Sequence, residues 1–414
     1  MNLRFLSPLL VFFLVLNLGC TPGKSRSKEN SPDATPQEKG RIYPVVTCMK
    51  DHSFSYAVYL PKSYTPSIKW PVIIAFDPHA SGLLPVEKYK DLAEKYGYII
   101  MGSNDSKNGQ DMNTSAIIMD AMMGETQLRY SIDTSRVCVM GFSGGARIAI
   151  ILGFFMGGPS GVIGCGAGFP QTTQRAAYRP DFIAMVGNSD FNMTELVNLD
   201  KQLDELKFPH AFIMFNGIHD WPPTEVMEKG FIWNEFCAMR KNKIKKDNAM
   251  ISTYIQSQQR VMENDKATGD ALSLQAHLTN MIRFIDRLRS TDDYKRQLTA
   301  IESSAEYQLQ KKQFQEVLDK ETKEQQELNS NFFHKDIPWW KKKIASYDTR
   351  ISRSHDSSEV RMVKRLKSWL SLISYMSYNR VLTAKDTSAA GHAMQIYELI
   401  DPENAAKTKA GNVK

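Results

Sequence analysis

The stretch RVCVMGFSGGARIAIILGFF, Arg136 to Phe155, decides how this chain is read. Its apolar, β-branched start through Met140 predicts a strand, and ARIAIILGFF, from Ala146, predicts a helix. Between them stands Gly141-Phe142-Ser143-Gly144-Gly145. A serine on a tight strand-to-helix turn, flanked by small residues that let the backbone pack, presents its hydroxyl as a nucleophile. The plain alternative is an ordinary strand–helix connection, since G-x-S-x-G arises by chance in long chains. The segments on either side separate the two readings.

From Ile42 to about Met239, short apolar runs alternate with helical patterns. SFSYAVYL (Ser53–Leu60) alternates with period two, as an antiparallel strand does, while VIIAF (Val72–Phe76) is a continuous run suited to burial on both faces. YIIMGSN, GVIGCGAG (Gly161–Gly168), FIAMVGN (Phe182–Asn188) and HAFIMFN (His210–Asn216) add four more strands. Helices are predicted over PVEKYKDLAEKYG, closed by Gly97, and over Thr114–Ile132 with Thr114 as N-cap. MTELVNLDKQLDEL and EVMEKGFIWNEFCAM complete the set. Such alternation means βαβ units and a mostly parallel sheet, an α/β fold spanning 42–242.

The character then changes. Residues 243–414 are rich in Gln, Glu, Lys, Ser and Leu, carry almost no β-branched runs, and predict an all-α domain. Its end, AAGHAMQIYELIDPENA (Ala389–Ala405), resembles the second helix of a tetratricopeptide unit. Ala390, Met394 and Pro402 take the small, bulky and helix-stopping positions. Tyr397 stands where a small residue is usual and no clear 34-residue period precedes it, so a bundle of stacked helix pairs is the alternative.

The first twenty residues read as an export signal: Arg4, a long apolar run, then Gly19-Cys20. This ending resembles the bacterial lipoprotein lipobox, with Asn17 where Leu is usual. The resemblance implies that Cys20 becomes a lipidated first residue at the cell envelope; a plain signal peptide or uncleaved anchor is the alternative. Residues 21–41, rich in Ser, Pro, Lys, Glu and Gly, read as a flexible tether. Four further cysteines fit no disulfide framework or metal site, and Cys138 and Cys165 fall in expected strands as buried thiols. The net charge of +7 over 414 residues is scattered, so no nucleic-acid partner is expected.

A serine nucleophile needs a base, a group that orients the base, and donors for the oxyanion. Each is sought at a strand's carboxyl end, where open α/β sheets build their sites. His219, in GIHDWPP after the last strand, is the candidate base. His52 precedes the sheet and His210 starts a strand at the wrong end, while His79 sits in another strand-end loop. Asp190, closing FIAMVGNSD, is the candidate acid. Asp220 adjoins His219, where neighbouring loop side chains diverge, and Asp181 begins its strand at the opposite end. The Gly144 N–H is one oxyanion donor, at a helix start. The second is expected from DPHASG, where Pro78 has no N–H and His79 or Ala80 remains. Trp221 and Phe142 are candidate pocket residues, with packing under the His219 loop the equal alternative for Trp221.

With these pieces in order, the segment from Tyr43 to Met239 resembles the α/β-hydrolase superfamily. It looks most like the branch of feruloyl and acetyl-xylan esterases, polyhydroxybutyrate-depolymerase-like esterases and dienelactone-hydrolase-like proteins. YAVYLPKSYTPSIKWPVIIAF, SRVCVMGFSGGARIA, GNSD and GIHDWPP carry the resemblance. It implies a carboxylester hydrolase with Ser143, Asp190 and His219 as triad and no cofactor. Two departures stand out: Ala80 replaces the glycine of the usual oxyanion loop, and the lid segment, Phe169–Asp181, is short. The expected substrate is a small-molecule or polysaccharide-linked ester. A peptidase or thioesterase shares this chemistry, and the third reading is a non-catalytic, lipid-anchored protein whose helical domain binds a protein partner.

Overall fold

Strand β5, Ile132–Phe142, runs through the middle of the molecule and ends against Ser143. Around it, the computed structural model describes residues 38–170 and 174–412. The export signal with Cys20, and all but the last few residues of the tether, lie outside the described residues. The other strands are β1 (Ile42–Thr47), β2 (Ser55–Tyr59), β3 (Trp70–Phe76), β4 (Ile99–Ser103), β6 (Gly161–Cys165), β7 (Asp181–Gly187) and β8 (His210–Phe215). They form one sheet in the order β1-β2-β4-β3-β5-β6-β7-β8. β2 pairs antiparallel on both sides, and every pair from β4 to β8 is parallel. This is the α/β-hydrolase arrangement, an α/β sheet followed by an all-helical segment.

Helices α1 (Leu83–Tyr96), α2 (Met112–Arg129), α3 (Gly144–Ile151), α4 (Met193–Glu205) and α5 (Thr224–Arg240) flank the sheet. Gly97 closes α1 in the left-handed region at φ 68°, where a Cβ is costly. The N-cap of α2 is Asp111, whose carboxylate accepts the Thr114 N–H at 2.8 Å, and not Thr114 itself. A carboxylate three residues upstream satisfies an orphan amide that the Thr114 hydroxyl, already inside the helix, cannot. The expected helix after Ser143 ends as a π-helical turn, Leu152–Met156. All four described cysteines are free and buried. Burial pushes the thiols of Cys48, Cys138 and Cys237 up to about 12.

Alternation along the strands sorts the core into two layers. Val72, Ile74, Val137 and Val139 face α2–α4, while Ile73, Ala75, Cys138 and Met140 face α1 and α5. The helical region does not begin a new core at 243. Helices α6 (Asn248–Thr268) and α7 (Ala271–Ile285) bury Ile251, Tyr254, Leu278, Met281 and Phe284 in the same layer as Phe231 and Trp233 of α5. α8 (Asp292–Glu302) lies on their outer side. A separate core then forms from α9 (Ala305–Asn331), α10 (Ile337–Arg353), α11 (Ser357–Thr383) and α12 (Thr387–Ile400), around Trp340, Tyr347, Leu366 and Ile396. α11 and α12 make a helical hairpin, with Ala390 and Met394 buried and α13 (Pro402–Asn412) following.

Candidate active site

Ser143 occupies φ 52° and ψ −119°, outside the regions open to L-residues, a strain of about 1–3 kcal/mol. The glycines around it make the turn feasible. A Cβ on Gly141 would run into the Gly145 carbonyl, and one on Gly145 into the Phe76 carbonyl at the end of β3. Gly145→Ala therefore forces backbone apart and is expected to cost about 1–3 kcal/mol or more, read as a lowered urea midpoint. The result is a hydroxyl held half-exposed at the carboxyl edge of the sheet.

The three separated side chains meet there. His219 Nε2 lies 3.0 Å from Ser143 Oγ, and His219 Nδ1 lies 2.9 Å from Asp190 Oδ1. The second approach is close in distance but off the line of the ring N–H, so neither His219 Nδ1 nor Asp190 Oδ2 completes an aligned hydrogen bond among the described residues. Asp190 is 1% exposed, and its Oδ1 accepts the Asn192 N–H at 2.8 Å. Two backbone bonds tie its loop to the His219 loop: Asn188 N–H to Phe215 C=O and Ser189 N–H to Gly217 C=O, both 2.8 Å. The imidazole itself is flanked by Phe142 at 4.7 Å and Phe191 at 4.1 Å between ring centres.

The competing residues lie elsewhere. Asp220 is exposed and accepts the Trp221 N–H. Asp181 pairs with Lys241 at the start of β7, and His210 is buried between the Phe208 carbonyl and Asp200. Asp200, Asp204 and His210 bring their ligand atoms within 4.8 Å of one another, but Arg283 already bonds both carboxylates at 2.8 and 2.6 Å.

The oxyanion loop differs from expectation. The His79 N–H donates to Asp77 Oδ1 at 2.8 Å, and the Ala80 N–H faces the Asp77 carbonyl at 3.3 Å, with Ala80 at φ 58°. Both expected donors are thus turned into their own loop, while Gly144, first in α3, has no intrahelical acceptor for its N–H. Asp77 is the residue that sequence reasoning missed. Buried at 2% exposure, it also accepts the Trp221 Nε1–H at 2.8 Å and so joins the oxyanion loop to the segment after His219. Trp221 is packed under that segment against Phe142 and Tyr89, not open to a pocket, and Phe142 is buried too. Asn108, also missed, lays its side chain against Gly144, on a loop whose Asn108 N–H bonds the Pro78 carbonyl. A cavity of about 580 Å³, lined by Arg240, Lys243, Lys245, Lys246 and Arg287 among others, shares no residue with this site.

No family model and no curated protein matches the chain. Solved structures that resemble it include S-formylglutathione hydrolase from Staphylococcus aureus, at 12% identity and TM-score 0.38, covering 44% of this chain and 90% of that one. A ferulic acid esterase gives 16% identity and TM-score 0.37, covering 46% and 94%. An esterase from Thermogutta terrifontis gives 11% identity and TM-score 0.39, covering 52% and 97%. Likeness at this level carries no argument about chemistry, which rests on the residues themselves.

Proposed function

We propose that this protein is a serine hydrolase of carboxylic esters, with Ser143 as nucleophile, His219 as general base and Asp190 as the acid that orients it. The observation that carries this reading is the 3.0 Å approach of His219 Nε2 to the hydroxyl of a serine held in a strained turn. Ser143 Oγ adds to the ester carbonyl while Nε2 takes its proton. The tetrahedral oxyanion forms against the Gly144 N–H and the positive end of α3. Collapse breaks the bond to the alcohol, which leaves with the proton from Nε2. Water, deprotonated by the same nitrogen, then releases the acid and restores Ser143. The Asp190–His219 contact tightens in the substrate complex, as catalytic hydrogen bonds do.

The substrate we favour is a small or polysaccharide-linked ester, because the half-exposed Ser143 sits at the surface of the sheet edge. A panel of short-chain nitrophenyl esters, thioesters and aminoacyl anilides tests this: ester turnover well above anilide turnover supports it. Preference for the anilide makes the protein a peptidase. No turnover, with no labelling by a fluorophosphonate, removes the enzyme reading in favour of a binding protein.

We also propose that the chain is carried to the bacterial cell envelope and lipid-anchored at Cys20. This rests on residues 1–20 alone. Incorporation of labelled palmitate in wild type, abolished in Cys20→Ala, is the expected result; incorporation in neither sinks it.

A further inference from the structure

Resting on the hydrolase reading, we propose that Arg365 of α11 and Phe191 make the helical region a positioning device for the Asp190–His219 pair. Arg365 is 2% exposed and faces Glu321 of α9, which is fully buried. Its Nε lies 3.0 and 2.9 Å from the two carboxylate oxygens of Glu321, and Nη2 lies 2.5 Å from Oε2. One arm of the guanidinium is left over. Its Nη1 donates to the Asn188 carbonyl at 2.7 Å, crossing from the helices into the loop two residues before Asp190. A rigid planar fork holds both partners in fixed directions at once, which the single nitrogen of a lysine does not.

On the other side of Asp190, the next residue, Phe191, packs against the α9–α12 core and sets its ring 4.1 Å from His219. The acid is therefore bracketed by a polar contact on one side and an apolar one on the other, both supplied by helices outside the sheet. Stability alone does not call for the ion pair. Burial raises the Glu321 carboxyl above its ordinary range, against the opposing pull of Arg365. Well-packed apolar residues serve a buried site of this kind as well or better. The donor to Asn188 is what they would not replace.

The test uses the full chain. Replacing the pair together, Arg365→Met with Glu321→Met, removes both charges and the donor to Asn188 while keeping the bundle filled. The expected result is a wild-type melting temperature, a drop in kcat on a short-chain ester of about 10–100-fold with KM little changed, and faster amide hydrogen exchange confined to 187–193. Arg365→Lys, which keeps the charge and loses the fork, is expected to fall between and serves if the double variant does not fold. A folded variant with wild-type kcat and wild-type exchange over 187–193 overturns the proposal. If wild type neither hydrolyses esters nor takes a fluorophosphonate, the hydrolase reading fails by itself. The exchange measurement still decides the positioning: faster exchange over 187–193 alone supports it, and unchanged exchange rejects it.

Discussion

Ser143→Ala is expected to lower ester turnover by about 10³–10⁶ and to abolish fluorophosphonate labelling, with little loss of fold. The change removes one oxygen from a half-exposed position. It leaves the glycines that build the turn and the Ser143 N–H bond to the Cys165 carbonyl, 2.8 Å, untouched. Alanine must still occupy the positive φ, so the turn keeps its strain and the melting temperature should stay close to that of wild type. What disappears is the atom that makes and breaks the acyl bond. Residual activity within tenfold of wild type in a folded Ser143→Ala protein would place the nucleophile elsewhere.

The second large effect is Asp190→Asn, expected to cost about 10³–10⁴ in kcat. Asparagine fills the same space but carries no negative charge to hold against His219. Asp190 Oδ1 both accepts the Asn192 N–H at 2.8 Å and lies 2.9 Å from His219 Nδ1, so the amide oxygen that replaces it is a neutral, weaker acceptor for the imidazole. Without a carboxylate beside Nδ1, the imidazolium that forms as Nε2 takes the Ser143 proton is no longer stabilised, and acylation slows. Single-turnover kinetics separate this from a binding defect: the acylation rate falls and substrate affinity does not. Unchanged acylation would show that Asp190 serves the loop and not the histidine.

Much of the frame was legible in the residues because burial on both faces writes continuous β-branched runs, and the positions of Ser143, Asp190 and His219 follow from strand ends. The seven expected strands came out within a few residues of their apolar runs, whereas β1, IYPVVT, was not expected, and the sheet pairs them in the order that short crossovers allow. Asp77 was not legible. Its role depends on a tryptophan 144 positions away, and nothing in DPHASG signals that an aspartate will take up the N–H of His79. Phe191 and Arg365 were hidden for the same reason, since their partners belong to other parts of the chain. The second oxyanion donor failed on local grounds: a loop amide is free only if no nearer acceptor exists, and spacing does not show acceptors. The Thr114 cap failed by three residues because Asp and Thr are both good caps and periodicity fixes a helix start only loosely.

The sharing of one core layer by α5, α6 and α7 has a practical corollary for anyone wishing to excise the strand-bearing half. A fragment ending at 242, where composition changes, would carry Trp233 and Phe236 bare on its flank, stripped of Phe284, 5.0 Å from Trp233, and of Tyr254, 5.4 Å from Phe236, between ring centres. Such a piece would be a sticky particle rather than a miniature enzyme. That layer is completed only by residues of α6 and α7 and on to Leu288, so the visible seam in the polypeptide is not where it comes apart.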